Sequence, residues 1–329
     1  MKTLQYIKIV TVLLLSGILA VSCIENKTEP MGDAGQVLIR LNPTSETGFF
    51  LKIAEPVSTP QTFALIDVRR DAPTADALDA TTVVTLAFDA GILTKYNADN
   101  GTEFIPLPEG TYSTSPASSG GSITITFSPG DFAQEVSLTI PNAFNLDPAN
   151  QYAMGYRMEV TSGAGILSTS SSDSLVVQVL PKNLYDGRYQ VTAVNPMIDF
   201  VSSSLTGNYP FVYILETTGA NTVDCIDEEY DYPLHSILSG GNWSYYGSFC
   251  PQLVFKTDGS NEVEAVTNYW GSPAGNTRDA LLADDMVSFW DPVTKDIRIK
   301  YHMTMSSAVP DPPHIRTTFD ELWTYLGPR

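Results

Sequence analysis

The 329-residue chain has little cysteine, histidine or positive charge. It holds three Cys, three His and 18 Lys plus Arg against 37 Asp plus Glu, for a formal net charge of -19. An acidic excess of this size repels phosphate backbones, which argues against nucleic acid as a partner. It also argues against peripheral attachment to anionic lipid through basic patches. His235, His302 and His314 lie far apart and show no metal-ligand spacing, so each is expected as a surface or strand residue. There is no Gly-x-Ser-x-Gly elbow, no His-Glu-x-x-His helix and no phosphate-binding glycine loop. No catalytic residue is therefore nominated, and no cofactor is implied. Acids are too numerous for counting to exclude a glycosidase pair, which depends on two carboxylates facing each other across ~5 to ~9 Å. Tryptophan is missing before position 243, and long apolar runs are missing except one near the amino end.

That run, residues 13–23, reads Leu-Leu-Leu-Ser-Gly-Ile-Leu-Ala-Val-Ser-Cys and follows Lys2 and Lys8. Basic residues, a short apolar core and small residues before a cysteine are the layout of a secretory signal peptide. The core is shorter than the ~20 residues a spanning helix needs. The ending Ala20-Val21-Ser22-Cys23 resembles a bacterial lipobox, with Ala20 where leucine is most usual. The resemblance implies cleavage before Cys23 and acylation of its thiol and new amine. Each buried methylene is worth ~0.8 kcal/mol, so several chains anchor firmly, and membrane contact is expected through acyl chains. A leader over residues 1–22 would remove two lysines and no acid, leaving the mature chain more acidic still. Residues 23–35 are polar, with Pro and Gly, and read as a flexible tether. Its Glu25, Glu29 and Asp33 resemble the surface-export signal of Bacteroidota lipoproteins. An outer-membrane lipoprotein facing outward is the expectation. Cys225 and Cys250 remain in an oxidising compartment, either as a disulfide worth ~3 kcal/mol or as two buried thiols.

From residue 36 the chain becomes a series of short alternating or apolar segments, at 36–42, 49–55, 62–69, 81–88, 122–127, 135–140, 152–160 and 174–180. Ile123, Ile125 and Phe127 share one face, as do Val136, Leu138 and Ile140. Short strands with regular turns predict an antiparallel sandwich over residues 36–181. One helix interrupts it at 90–97, capped by Asp89 and stopped by Asn100-Gly101. The Ser/Gly run at 161–174 reads as a hairpin loop. Within it, Asp173-Ser174-Leu175 resembles a Bacteroidota O-glycosylation triplet, but an ordinary strand entry is the favoured reading. Pro181 closes the sandwich. A second β domain over 184–329 opens at Tyr185-Asp186-Gly187-Arg188-Tyr189. Hairpins pair 211–217 with 222–226, 253–257 with 262–266, and 287–290 with 296–303. Residues 319–325 give a last strand. Successive hairpins predict an antiparallel meander, either a small barrel or a curled sheet.

A family resemblance rests on a β-branched strand ending in Phe88-Asp89, then Leu93-Thr94-Lys95-Tyr96-Asn97, Gly101-Thr102-Glu103-Phe104, Leu107-Pro108 and Gly110-Thr111-Tyr112. Downstream are Pro129-Gly130 and a strand built on Tyr152. In this order they resemble the N-terminal domain of two-domain Bacteroidota surface lipoproteins, often labelled adhesins, which occur beside polysaccharide-utilisation machinery. The match covers residues 36–180. The 185–189 opening and the 317–329 ending resemble the family's C-terminal domain. The resemblance implies an all-β chain, an immunoglobulin-like β-sandwich followed by a lipocalin-like β-barrel or curled sheet. It implies polysaccharide or oligosaccharide, and other outer-membrane uptake proteins, as partners. No catalytic motif carries over.

All four tryptophans, Trp243, Trp270, Trp290 and Trp323, fall in the second β domain. Gly240-Gly241-Asn242-Trp243-Ser244-Tyr245-Tyr246-Gly247 and Asn268-Tyr269-Trp270-Gly271-Ser272-Pro273 put rings among Gly, Ser and Asn, and both read as loops. Such rings suit sugar recognition, because the apolar pyranose face stacks on them while amides and carboxylates bond the hydroxyls. Asn242, Trp243, Tyr245, Tyr246 and Trp270 are the candidate glycan-binding residues. The plainer alternative is that these rings fill the core or the barrel mouth. Trp290 and Trp323 sit in strand pattern and are expected in the core. Asp227, Glu228, Glu229 and Asp231 form the densest acid run. They could hold Ca²⁺, but the run lacks the Asp-x-Asp-x-Asp-Gly loop, and a solvated turn is the favoured reading. The expected function is non-catalytic glycan binding in polysaccharide capture. The alternatives are an adhesive protein that binds another protein, and a glycosidase.

Overall fold

The computed structural model describes residues 35–42, 49–168, 173–271 and 275–329. The leader, Cys23 and the tether up to residue 34 lie outside them. Strand makes up 53% and helix 6%, so the chain is all-β, as its alternating segments predict. Strands from Leu38–Asn42 to Ser174–Pro181 form two sheets, and those from Gly187–Asp199 to Ile315–Gly327 form two more.

The first pair of sheets makes the immunoglobulin-like sandwich. One runs Ile166–Leu167, Leu38–Asn42, Gln61–Asp71, Ala133–Ile140, Ser113–Ser115. The other runs Phe49–Ala54, Ser174–Pro181, Tyr152–Ser162, Thr82–Phe88, Ser122–Phe127, Ser118–Ser119. Alternate side chains point to opposite faces of a strand, so Ile123, Ile125 and Phe127 meet Val136, Leu138 and Ile140 in one core. Full burial of each is worth roughly 1.5–3 kcal/mol.

Arg70 is also buried in this module. Its guanidinium donates to the carbonyls of Leu78 (2.9 Å), Ser128 (3.0 Å), Ala80 and Asp131, and lies 5.4 Å from the Phe127 ring centroid. The helix, α1, runs Ala90–Asn100, with Asp89 Oδ1 accepting from the Gly91 amide at 2.8 Å. It extends past residue 97 because Gly101, at φ 66, is the left-handed cap that ends it. The 161–174 run is not a plain loop. Ile166–Leu167 pairs in parallel with Leu38–Asn42 and borders a sheet, while residues 169–172 lie outside the described residues. At the triplet, Ser174 opens a strand and Leu175 is core, as the strand-entry reading has it.

The second module is an antiparallel meander of eight main strands: Gly187–Asp199, Phe211–Thr217, Thr222–Asp227, Pro251–Phe255, Val263–Asn268, Arg278–Leu282, Ile297–Met305 and Ile315–Gly327. Each pairs with the next along the chain except across the gap between Val263–Asn268 and Arg278–Leu282, and the last pairs with the first. Phe289–Trp290 spans part of that gap, pairing with Ile297–Met305 and bridging Phe289 to Glu262. The result is an almost closed barrel, with the 211–227, 251–268 and 289–303 hairpins formed as predicted.

Its interior is packed with Tyr189, Tyr213, Phe255, Tyr301, Phe319 and, as expected, Trp290 and Trp323. One carboxylate sits inside. Glu321 accepts from the Tyr209 hydroxyl (2.5 Å), the Trp323 indole (2.8 Å) and the Tyr301 hydroxyl (3.2 Å). His235 Nε2 lies 3.1 Å from it. His235 is thus a fully buried core residue, contrary to the surface or strand position expected of it. His302 is on a strand, as expected.

A candidate aromatic site at the far end of the barrel

In a meander, successive strands reverse, so alternate strand termini collect at the same end. Thr217, Thr222, Phe255 and Leu282 lie at the end near the sandwich, where Asn183 Nδ2 donates to the carbonyls of Gly219 (2.9 Å) and Thr222 (3.0 Å). Asp199, Asp227, Asn268, Arg278, Met305 and Ile315 lie at the far end. Every aromatic candidate from the sequence maps to this far end.

A three-stranded sheet, Leu205–Gly207, Ser236–Ser239 and Asn242–Tyr245, stands there. The Trp243 stretch is therefore a strand rather than a loop. Gly240 and Gly241, at φ 57 and 83, supply the tight two-residue turn that only glycine makes without strain. Trp243 and Tyr245, two residues apart, share a face and are 42% and 44% exposed. The Trp243 indole donates to Ser236 Oγ at 3.0 Å, and that hydroxyl is held in turn by Asn208 Nδ2 at 2.8 Å. The Trp243 ring stacks on Tyr230 (4.4 Å between centroids, 30°) and lies 5.7 Å from Tyr245. Asn242 is exposed beside it. The platform is held by its edge and is still open to solvent.

Two predicted site residues behave differently. Tyr246 is only 4% exposed. Its hydroxyl donates to Asp199 Oδ2 at 2.6 Å and accepts from Thr317 at 2.9 Å, so it belongs to the core and not to a sugar platform. Burial pushes its pKa well up. Next along the chain from Tyr245, it takes the opposite, inward side. Trp270 is half-buried, its indole donating to the Pro233 carbonyl at 2.9 Å. It offers a partial surface, flanked by Tyr232 (5.4 Å) and Tyr269 (5.3 Å).

Sequence reading missed Tyr230, Tyr232 and Tyr269, all well exposed. The signal for the first two was Tyr230-Asp231-Tyr232, inside a run read only for its carboxylates. That run does not form a Ca²⁺ cage. Asp227 is buried, and its Oδ1 accepts from the amides of Glu229 (3.0 Å) and Tyr230 (3.3 Å). Burial raises its pKa ahead of those stabilising bonds. Glu228 turns away to pair with Arg188. Glu229 and Asp231 remain exposed, Asp231 at the tip of the turn with φ 48. Among the described residues no group of three or more His, Cys, Asp or Glu is placed to hold a metal ion.

The disulfide alternative is also overturned. Cys225 and Cys250 are both free and buried. The Cys250 thiol donates to the Cys225 carbonyl at 3.0 Å, with the Leu234 carbonyl at 3.4 Å. Each thiol's pKa is pushed well up, first by burial.

A family model for an N-terminal domain matches residues 47–165, inside the sandwich. No curated protein matches the chain. Among solved structures, the chain is similar to a Bacteroides ovatus protein of unknown function at 12% identity and TM-score 0.48, covering 88% of this chain and 95% of that one. A second B. ovatus protein of unknown function matches at 12% identity and TM-score 0.39, over 87% and 90%. A B. ovatus ATCC 8483 protein described as a candidate carbohydrate binder matches at 14% identity and TM-score 0.34, over 70% and 66%. With likenesses this distant, the functional reading rests on the geometry of the site.

Proposed function

We propose that the chain is a non-catalytic glycan-binding protein of the cell surface, whose ligand meets the barrel's far end. The observation that carries this reading is the exposed Tyr230–Trp243–Tyr245 cluster, with the indole edge fixed by Ser236. A pyranose stacks on such rings, and the exposed Asn242, Glu229 and Asp231 offer hydrogen-bonding groups for its hydroxyls. Affinity-gel electrophoresis against a panel of polysaccharides tests it. Trp243→Ala should weaken retardation about tenfold or more, equivalent to ~1.4 kcal/mol. Retardation by none of the panel, or undiminished retardation of the variant, would sink the reading.

The same proposal includes a lipid anchor at Cys23 in the outer membrane. Metabolic labelling with a fatty-acid probe should mark the protein and fail to mark Cys23→Ala. It also includes a lipocalin-like kinship for the barrel, supported by the up-and-down order of its strands. An adhesive role has one observation in its favour: Ile198, Phe200 and Val201 are exposed together beside the barrel's far end. A pull-down from outer-membrane extract that depends on Phe200 and not on Trp243 would select it.

A further inference from the structure

The described chain contains nine arginines, and eight of them are engaged. Arg40, Arg69, Arg157, Arg188, Arg298, Arg316 and Arg329 each reach a carboxylate, and Arg70 reaches its ring of carbonyls. Arg278 makes no ion pair and no side-chain hydrogen bond among the described residues. Its Nε is buried with no acceptor. In a chain with twice as many acids as bases, an arginine left without a partner calls for an explanation. A buried unsatisfied donor costs about 1–3 kcal/mol, and more when charged.

Arg278 opens its strand at the barrel's far end, opposite Met305 in the ladder. Arg316 approaches the same Met305 from the last strand, its Nη1 3.0 Å from the sulfur, with its Cζ 5.4 Å from the centre of the Tyr246 ring. Two guanidiniums therefore flank one methionine. Among the described residues only Arg316 of the two has a carboxylate partner, Asp199, 3.2 Å from its Nε. That carboxylate already accepts from Tyr246, Val201 and Ser202. Burial first, and then the positive charge of Arg316, lowers the pKa of Arg278. Asp279 offers no relief, because the next residue of a strand points to the opposite face.

We propose that Arg278, backed by Arg316, is an oxyanion-binding site that takes a carboxylate or sulfate group, carried by an acidic sugar or present as a free ion. The Nε–H is enclosed, but neither terminal nitrogen has an acceptor or is enclosed among the described residues, which leaves the Nη1–Nη2 edge of the guanidinium open. Two parallel N–H donors on that edge match two oxygens of a carboxylate or sulfate, and lysine cannot reproduce this fork. The site adjoins the aromatic end. Asn268 Nδ2 donates to the Arg278 carbonyl at 3.2 Å, two residues before Trp270. The inference stands on the unpaired guanidinium and does not need the ring platform.

Thermal denaturation of the full chain tests it, at ionic strength held constant with chloride. Sodium sulfate and sodium glucuronate should raise the midpoint saturably, and glucose should not. Arg278→Met should abolish the rise while leaving the ligand-free midpoint equal to or above that of the native chain. If Arg278→Met does not fold, Arg278→Lys, which keeps the charge and loses the fork, should bind at least tenfold more weakly. A rise absent from the native chain, or retained in Arg278→Met or undiminished in Arg278→Lys, overturns the proposal.

Polygalacturonate in affinity gels separates the two sources. Binding at least tenfold tighter than free glucuronate marks the acidic glycan, and equal binding marks the free ion. Trp243→Ala should keep the sulfate response, and Arg278→Met should keep any retardation by neutral glycans, so either reading can fail without the other.

Discussion

The two cores and the barrel's far end treat charge in opposite ways. In the sandwich, Arg70 is wrapped by four backbone carbonyls. In the barrel core, Glu321 is faced by two tyrosines, a histidine and a tryptophan. Both charges are matched by groups of the chain itself, as low-dielectric surroundings require. For charged groups the matching stops at the far end, while inside the barrel the buried Trp290 indole N–H also lacks an acceptor among the described residues. Arg278 has an N–H without an acceptor, Glu229 and Asp231 face solvent, and Trp243 shows a large ring surface. Flat apolar rings and carboxylates stay unmatched at little cost only where solvent can reach them, whereas the enclosed Arg278 Nε carries a penalty. The contrast therefore points to where this molecule meets something else.

The contrast can be broken at its strongest point first. Glu321→Ala removes the acceptor of the Tyr209, Tyr301 and Trp323 donors and should cost about 3–5 kcal/mol in urea denaturation. A loss under about 1 kcal/mol would show that the barrel core tolerates unmatched donors. Arg70→Met strands the carbonyls around it and should cost about 3 kcal/mol by the same measurement.

Asp199 lies between core and mouth. Burial alone would raise its pKa, but the Tyr246 hydroxyl, the Val201 and Ser202 amides and Arg316 together hold it below the ordinary 3.8. A carboxyl lowered in the folded state contributes stability that is full above the unfolded value and lost as pH falls through the folded one. Stability should therefore decline as pH drops below about 4, and Asp199→Asn should flatten that decline while costing about 1–2 kcal/mol at neutral pH. Asp89→Ala removes the cap of α1 and should cost about 1 kcal/mol by the same denaturation. Arg278→Met, smallest of all, should change ligand-free stability by no more than about 0.5 kcal/mol or raise it. A loss as large as that of Arg70→Met would make the two arginines equivalent and erase the contrast.

Much of the architecture was legible in the sequence. Period-two alternation in 122–127 and 135–140 identified inward faces that are now buried together, and Asp89 with Gly101 marked both ends of α1. The aromatic site was legible only in part. Adjacent Tyr245 and Tyr246 look alike in sequence, yet the pleat sends one outward and the other onto Asp199. Tyr230 was hidden among acids because its value comes from Trp243, thirteen positions away, folding back over it. The sequence left the two cysteines open as a disulfide or as buried thiols, and they are buried thiols, with that of Cys250 turned onto a backbone carbonyl.

By itself the amino-acid sequence determined the all-β class, the hairpins, the helix caps and the acidic surface, because these follow from neighbours a few residues apart and from composition. Only the tertiary structure decided which rings stay open, which carboxylate is enclosed and which arginine lacks a partner. Those outcomes depend on segments far apart in the chain, such as 199, 246, 278 and 316, arriving at one end of a barrel. Matching of donors and acceptors is a property of that meeting, and no single stretch of sequence contains it.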